Sequence, residues 1–247
     1  MSREVRFNRW RGVLVAAGVL AGGLMIVPTA YAQSKPIPVT GWNADVIIDV
    51  DMNVRFGVSI DNGTCCFFEA KAVDDSGNEN DDGLVSGQPY TSATGSGAVY
   101  LIQPANGNNA LQMFRRETGT LTLVTPASYS QLFVIAASGN ASQTEVLTGV
   151  VHYDDGTSQS FMYNAFDWDD TNNPHAEEAI TGIGRACGIT DAGTGFTYDG
   201  MQRGHAFSLY ETSIPTDKTK KVTSVDFSGH IGSARNGIYN VFAISGQ

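Results

Sequence analysis

Val150-Val151-His152-Tyr153-Asp154-Asp155-Gly156-Thr157-Ser158-Gln159-Ser160-Phe161-Met162-Tyr163 is the stretch on which the fold class turns. Asp155-Gly156 supplies the positive φ that a tight turn needs, and the flanks are β-branched and aromatic, so a β-hairpin is expected. Working outward, runs of the same kind recur at 45–50, 64–70, 98–102, 110–114, 120–124, 132–137, 145–153, 158–163, 206–213, 221–227 and 238–245. Each is bounded by Gly, Asn, Asp, Ser or Pro. Many short strands punctuated by turns predict an all-β sandwich or barrel rather than strands alternating with helices. The one helical candidate is 174–185, where Asn173 can cap, Pro174 suits the first turn, and Glu177 and Glu178 favour a helix N-terminus. At most one short helix is therefore expected.

The 247 residues carry 15 Lys+Arg, 25 Asp+Glu and 42% hydrophobic residues, enough for a sizeable core. A net charge of −10 repels phosphate backbones and no basic stripe offsets it, so nucleic acid is not an expected partner.

The first 32 residues differ in kind from the rest. Arg3, Arg6, Arg9 and Arg11 precede an apolar stretch at 12–27, and Ala30-Tyr31-Ala32 has the small-x-small pattern of a cleavage site. Residues 1–32 read as a secretory signal peptide and 33–247 as a single domain, secreted or periplasmic, with no membrane span after cleavage. That leader holds four Arg and one Glu, which leaves 11 basic and 24 acidic residues in 33–247, a net of −13. In an oxidising compartment Cys66 with Cys187, or Cys65 with Cys187, can form a disulfide. Adjacent strand residues face opposite ways, so only one of the pair can meet Cys187.

Two long irregular segments are the candidate functional loops. The first, 73–90, is acidic. Its Asp74, Asp75, Asn78, Asn80, Asp81 and Asp82 are oxygen ligands of the type Ca²⁺ takes, although an EF-hand frame begun at Asp74 puts Glu79 at the glycine position and Val85 at the bidentate Glu position. The loop has the composition of a Ca²⁺ site without its motif, and a solvated acidic loop is the competing reading. In the second, 167–204, Trp168 lies among Asp167, Asp169, Asp170 and Asn172, with Arg185 and Arg203 further on. An aromatic face for sugar C–H surfaces beside carboxylates, amides and guanidinium groups is the chemistry of carbohydrate recognition. In the competing reading Trp168 closes the open end of the core. Trp42, just before the first strand, is expected to pack as an N-terminal plug.

Catalytic signatures are sparse. His152 and Asp154 share a strand face and can pair, but there is neither an H-E-x-x-H nor a G-x-S-x-G motif. Glu69, Glu117, Glu145, Glu177, Glu178 and Glu211 form an undifferentiated set of carboxylates, since sequence gives no separation between them. Asn62-Gly63-Thr64 and Asn140-Ala141-Ser142 match glycosylation sequons and are read as turns.

Gly41-Trp42-Asn43-Ala44-Asp45-Val46-Ile47, Gly107-Asn108-Asn109-Ala110-Leu111, Thr120-Leu121-Thr122-Leu123, Pro126-Ala127-Ser128-Tyr129-Ser130, Asn164-Ala165-Phe166-Asp167-Trp168, Leu209-Tyr210-Glu211 and the terminal Val241-Phe242-Ala243-Ile244-Ser245-Gly246 together form a familiar pattern. Over most of 41–246 the chain resembles the galactose-binding-like jelly-roll modules of secreted bacterial proteins found beside glycoside hydrolases. The resemblance implies a jelly-roll β-sandwich, a ligand site in loops at one end, and a structural Ca²⁺. Strand and turn signatures transfer fold rather than ligand, so no binding residue is carried over by motif. The expectation is a non-catalytic module that binds a glycan or cell-surface polysaccharide through Trp168, Asp167, Asp169, Asn172, Arg185 and Arg203. The alternatives are a structural or adhesive surface protein, and a carbohydrate-active hydrolase or lyase.

Overall fold

The hairpin forms in the expected place, within a computed structural model that describes residues 33–50, 59–61, 65–74, 76–140, 146–169, 175–188, 197–199, 207–229 and 237–247. The proposed leader, Asp75, Asn172 and Arg203 lie outside the described residues. In chain order the strands begin with β1 (Lys35–Pro36), β2 (Val39–Thr40), β3 (Ile47–Ile48), β4 (Phe67–Phe68), β5 (Pro89–Thr91) and β6 (Val99–Leu101). Longer strands follow: β7 (Leu111–Phe114), β8 (Thr118–Ala127), β9 (Gln131–Gly139), β10 (Val146–Tyr153) and β11 (Ser158–Asn164). The remainder are β12 (Glu178–Ile183), β13 (Arg185–Cys187), β14 (Thr197–Asp199), β15 (Phe207–Pro215), β16 (Val222–Ser228) and β17 (Ile238–Gly246). Among the described residues there is no helix, and the fold is an all-β sandwich.

Two antiparallel sheets carry the architecture. A central sheet runs β1-β17-β9-β15-β12, with β7 also pairing β17. An outer sheet runs β11-β10-β16-β8-β2. Their facing sides enclose one core: Leu121 and Leu123 of β8, Val151 of β10 and Phe227 of β16 meet Leu132, Val134 and Ala136 of β9 and Tyr239, Val241 and Ile244 of β17. Alternation along β9 sends Phe133, Ile135 and Ala137 to the opposite side. There a cap of short strands and loops, with Val46, Ile47, Phe67, Leu84, Tyr100 and Trp168, encloses a second core together with Phe207, Leu209 and Phe242. Each large side chain taken out of water this way contributes about 1.5–3 kcal/mol before the entropy of ordering it is set against the gain.

Buried amides fasten the cap to the central sheet. Gln112 Nε2 of β7 donates to Ser59 O at 3.0 Å and Asn240 Nδ2 of β17 donates to Ile60 O at 3.4 Å, while Asn109 accepts from the Val46 N–H at 2.8 Å and donates to Asp45 at 2.7 Å. The disulfide is Cys65–Cys187, joining the chain before β4 to β13, and Cys66 and Ala186 exchange backbone hydrogen bonds at 2.9 Å beside it. Of the two pairings open in the sequence, the Cys66–Cys187 one is thereby corrected. Cys66 faces the small core of Ile48, Phe68, Ala72 and Ala186, where burial first and the Asp61 charge next push its thiol up to about 12.

The helical candidate is extended. Its start makes a single turn, with Glu178 Oε1 accepting from the His175 N–H and the Glu178 N–H donating to His175 O, both at 3.3 Å. Glu178–Ile183 then pairs antiparallel with β15, burying Ala179, Ile180 and Ile183, and Gly182 takes φ +76°, which no right-handed helix accommodates. Tertiary pairing with β15 overrides the helix preference read from Glu177 and Glu178, and Asn173 and Pro174 lie outside the described residues.

Candidate functional site

The structure places Trp168 in the core instead of on a binding face. It is 2% exposed, with Phe67 edge-on at 5.0 Å, Phe207 tilted at 5.0 Å and the Arg185 guanidinium 5.8 Å from its ring centre. The flanking polar groups hold that arrangement. Asp167 Oδ1 accepts from the Asp169 N–H at 3.1 Å, the Asp167 carbonyl accepts from the Tyr210 hydroxyl at 3.1 Å, and Arg185 Nη1 donates to Asp169 Oδ2 at 3.2 Å. Arg185 also lies 4.6 Å over Phe207. Trp168, Asp167, Asp169 and Arg185 are thus brought together as the sequence suggested, but as a structural knot. A tryptophan whose ring is covered by two aromatics and a guanidinium has no face left to stack on a sugar.

The acidic loop is held by hydrogen bonds to Asp74 and by contacts of Asp81 and Asp82 with neighbouring segments. Asp74 Oδ1 accepts from the N–H groups of Ser76 and Asn78, both at 2.9 Å, and Asp74 Oδ2 accepts from Asn78 Nδ2 at 3.4 Å. Asn80 donates to the carbonyls of Ala72 and Asn78, Asp81 pairs with Lys71, and Asp82 packs against Gly184. Among the described residues no three His, Cys, Asp or Glu side chains converge as a metal site. Of the proposed Ca²⁺ ligands, Asp74, Asn78 and Asn80 are neighbours in one turn network, Asp82 stands beside Gly184, and Asp75 lies outside the described residues.

His152 finds a partner other than the one expected. Its Nε2 lies 2.7 Å from Asp226 Oδ2 on β16, and Asp226 Oδ1 accepts from the Thr120 hydroxyl at 2.7 Å. Asp154 instead accepts from the Lys221 N–H at 3.1 Å. The trio sits on the open face of the outer sheet, and cross-strand pairing rather than strand periodicity decides it.

The chemistry of a binding site gathers elsewhere, in an open cleft of about 290 Å³ lined by Thr94, Asn164, Ala176, Glu177, Glu211, Thr212 and Ser213. Three of these are consecutive on β15. Its edge pairing with β12 sets Glu177 beside Glu211, whose N–H donates to Glu177 O at 2.7 Å. Asn164 comes from the end of β11, its N–H donating to the Thr212 hydroxyl at 3.0 Å. Thr94 comes from the turn between β5 and β6. Glu211 is only 6% exposed, and its carboxylate accepts from the Tyr100 hydroxyl at 2.7 Å and from the Thr94 hydroxyl at 2.9 Å. Burial and then the Glu211 charge raise the Tyr100 phenol far above its ordinary range, so it remains a donor. At the edge of this region His175 stacks on Phe166 at 4.0 Å, with Tyr210 perpendicular to both.

Glu177 and Glu211 had been two members of an undistinguished set of glutamates. The available signal was Glu211 itself, a charged residue directly after Leu209 and Tyr210 in the strand Phe207–Pro215, whose Phe207, Leu209 and Tyr210 pack in the second core. Among the described residues the lining offers carboxylates, hydroxyls and one amide, and no histidine, cysteine or lysine. No family model and no curated protein sequence matches the chain.

Proposed function

We propose that the chain is an exported, non-catalytic module of galactose-binding-like jelly-roll type that binds a glycan in the Glu211 cleft. The observation that carries the proposal is the lining of that cleft: carboxylates, hydroxyls and an amide converging from four separate segments are the groups that hydrogen-bond a polyhydroxylated ligand. Glu211 is pre-oriented by Tyr100 and Thr94, so ordering it costs little when a ligand arrives. Strand order supports the jelly-roll part. The sets β7-β17-β9-β15 and β8-β16-β10-β11 interleave in sequence as two wrapped Greek keys do. The signal-peptide pattern of 1–32 and the disulfide support export.

The test is a glycan array and a thermal-melt screen of the purified chain against mono- and oligosaccharides, with and without Ca²⁺, run beside Ala176→Trp. Ala176 is an exposed residue of the cleft wall, so a bulky ring there fills the site without entering the core. A sugar that binds the folded state raises the wild-type midpoint by mass action, and A176W abolishes that shift. Binding that survives A176W moves the site away from the cleft. A chain that binds no saccharide ends the proposal.

A further inference from the structure

Among the described residues the cleft lining holds two carboxylates and no cationic side chain. Among the described residues neither Glu177 nor Glu211 meets a Lys, Arg or His, and the partners of Glu211 are two neutral hydroxyls. A carboxylate taken this far from water is costly unless a charge or strong donors compensate it, and two neutral donors compensate only in part. Each carboxylate oxygen of Glu211 accepts one such bond and keeps further lone-pair capacity. Glu177 lines the same cleft from the adjoining segment, its carbonyl accepting from the Glu211 N–H at 2.7 Å. The other lining groups, Thr94, Asn164, Thr212 and Ser213, complete a rim suited to hydroxyls.

From this we infer that the ligand is a sugar carrying a protonated primary amine, an amino sugar or an oligomer of one, with the ammonium group between Glu177 and Glu211 and its hydroxyls on the rim. This deepens the glycan-binding proposal and rests on it. An ammonium supplies three donors and a positive charge to two carboxylates, which only accept, and charge-assisted bonds of that kind are about twice as strong as neutral ones. The acidic surface of the chain, with a net charge of −10, further concentrates cationic ligands near it in low salt. An N-acetylated sugar of the same length lacks the charge and adds an acyl group where the carboxylates converge.

The experiment is calorimetric titration of the full chain with glucosamine trimer and with N-acetylglucosamine trimer at pH 6, in low and high salt, on wild type, Glu177→Gln and Glu211→Gln. The expected result is binding of the amine form tighter by about tenfold or more, weakened by salt, and reduced about tenfold by E177Q, as loss of one charged hydrogen bond implies. Glu177 is half-buried at the rim, so E177Q keeps the fold; E211Q tests the floor provided its thermal midpoint is retained. Equal or tighter binding of the N-acetylated trimer, still abolished by A176W, overturns the amine assignment while leaving the glycan module standing. Amine binding unchanged by E177Q also overturns it. If no saccharide binds, the glycan proposal fails and takes this inference with it.

Discussion

Strands β8 and β9 are separated by three residues and differ in almost every respect. In β8, Thr118–Ala127, exposed threonines alternate with buried Leu121 and Leu123, while in β9 every residue from Leu132 to Gly139 is buried. β8 has one covered face, since the outer sheet turns its other side to solvent. β9 has two, because the inter-sheet core lies on one side and the cap on the other. A strand's hydrophobic pattern counts its covered faces, and a continuous apolar run such as Leu132-Phe133-Val134-Ile135-Ala136-Ala137 signals a third layer as well as a strand. β17 repeats the lesson with nine buried residues in succession.

The sharpest way to break the comparison is to attack the cap-side core. Trp168→Ala leaves a large void between Phe67 and Phe207 and is expected to cost about 3–5 kcal/mol in urea denaturation. A tryptophan whose role was ligand stacking would tolerate the change with less than about 0.5 kcal/mol lost. Next in size is the disulfide. Cys65→Ser removes the covalent tie between the cap and β13, with an expected loss of about 2–4 kcal/mol. Hydrogen exchange should then rise across β3, β4 and β13 while β8, β10 and β16 keep their protection. Cys66 reports the same opening: with its thiol pushed up to about 12 by burial, it resists alkylation in the oxidised native chain and is labelled once the cap loosens. Uniform exchange across all layers would show that cap and sandwich are one cooperative unit.

Much of this was legible in advance, and the illegible parts share a cause. The hairpin at Asp155-Gly156 and the threonine-leucine alternation of β8 follow from local turn chemistry and period two. Runs 45–50 and 64–70 do contain β3 and β4, but the arrangement of the cap was not legible, because these two-residue strands pair parallel with each other outside the two large sheets. Of the two readings open for Trp168, burial favours the one in which it closes the core, although charged neighbours usually mean exposure: Asp169 and Arg185 bind each other over the indole and Asp167 turns its carbonyl inward to Tyr210. The cleft was invisible as a motif, since Thr94 and Glu211 are 117 positions apart and only the pairing of β12 with β15 brings Glu177 to them. The apolar run of β9 did carry the evidence for two covered faces, in its lack of alternation.

Reciprocal substitutions at the two strands sharpen the contrast at smaller energies. Ala136→Thr in β9 places a hydroxyl and an extra methyl in a fully packed site and should cost about 1–3 kcal/mol. Thr122→Val on the open face of β8 should stay within about 0.5 kcal/mol of wild type. Equal effects from the two would mean that the outer face of β8 is covered in solution, which makes the pair a test for a partner on that sheet.

The smallest expected effect belongs to the fully exposed end of the outer sheet and appears only in acid. Hydrogen bonds from the Thr157 side chain, then from Lys220, then from the Thr157 N–H lower the Asp155 carboxyl to about 2. Its folded-state value thus lies below the roughly 3.9 of an unfolded aspartate. A depressed carboxyl stabilises the fold in full above the unfolded value, and that contribution disappears as pH falls from about 4 through about 2. Asp155→Asn should therefore lower the thermal midpoint by a small constant amount above about pH 4.5, and the two curves should converge in more acidic buffer. Because the hairpin tip is solvent-exposed, added salt should shrink the gap at neutral pH as well. A difference between D155N and wild type that is the same at pH 3 and pH 6 would show that the turn holds through Gly156 and the strand pairing alone, with the carboxylate contributing nothing.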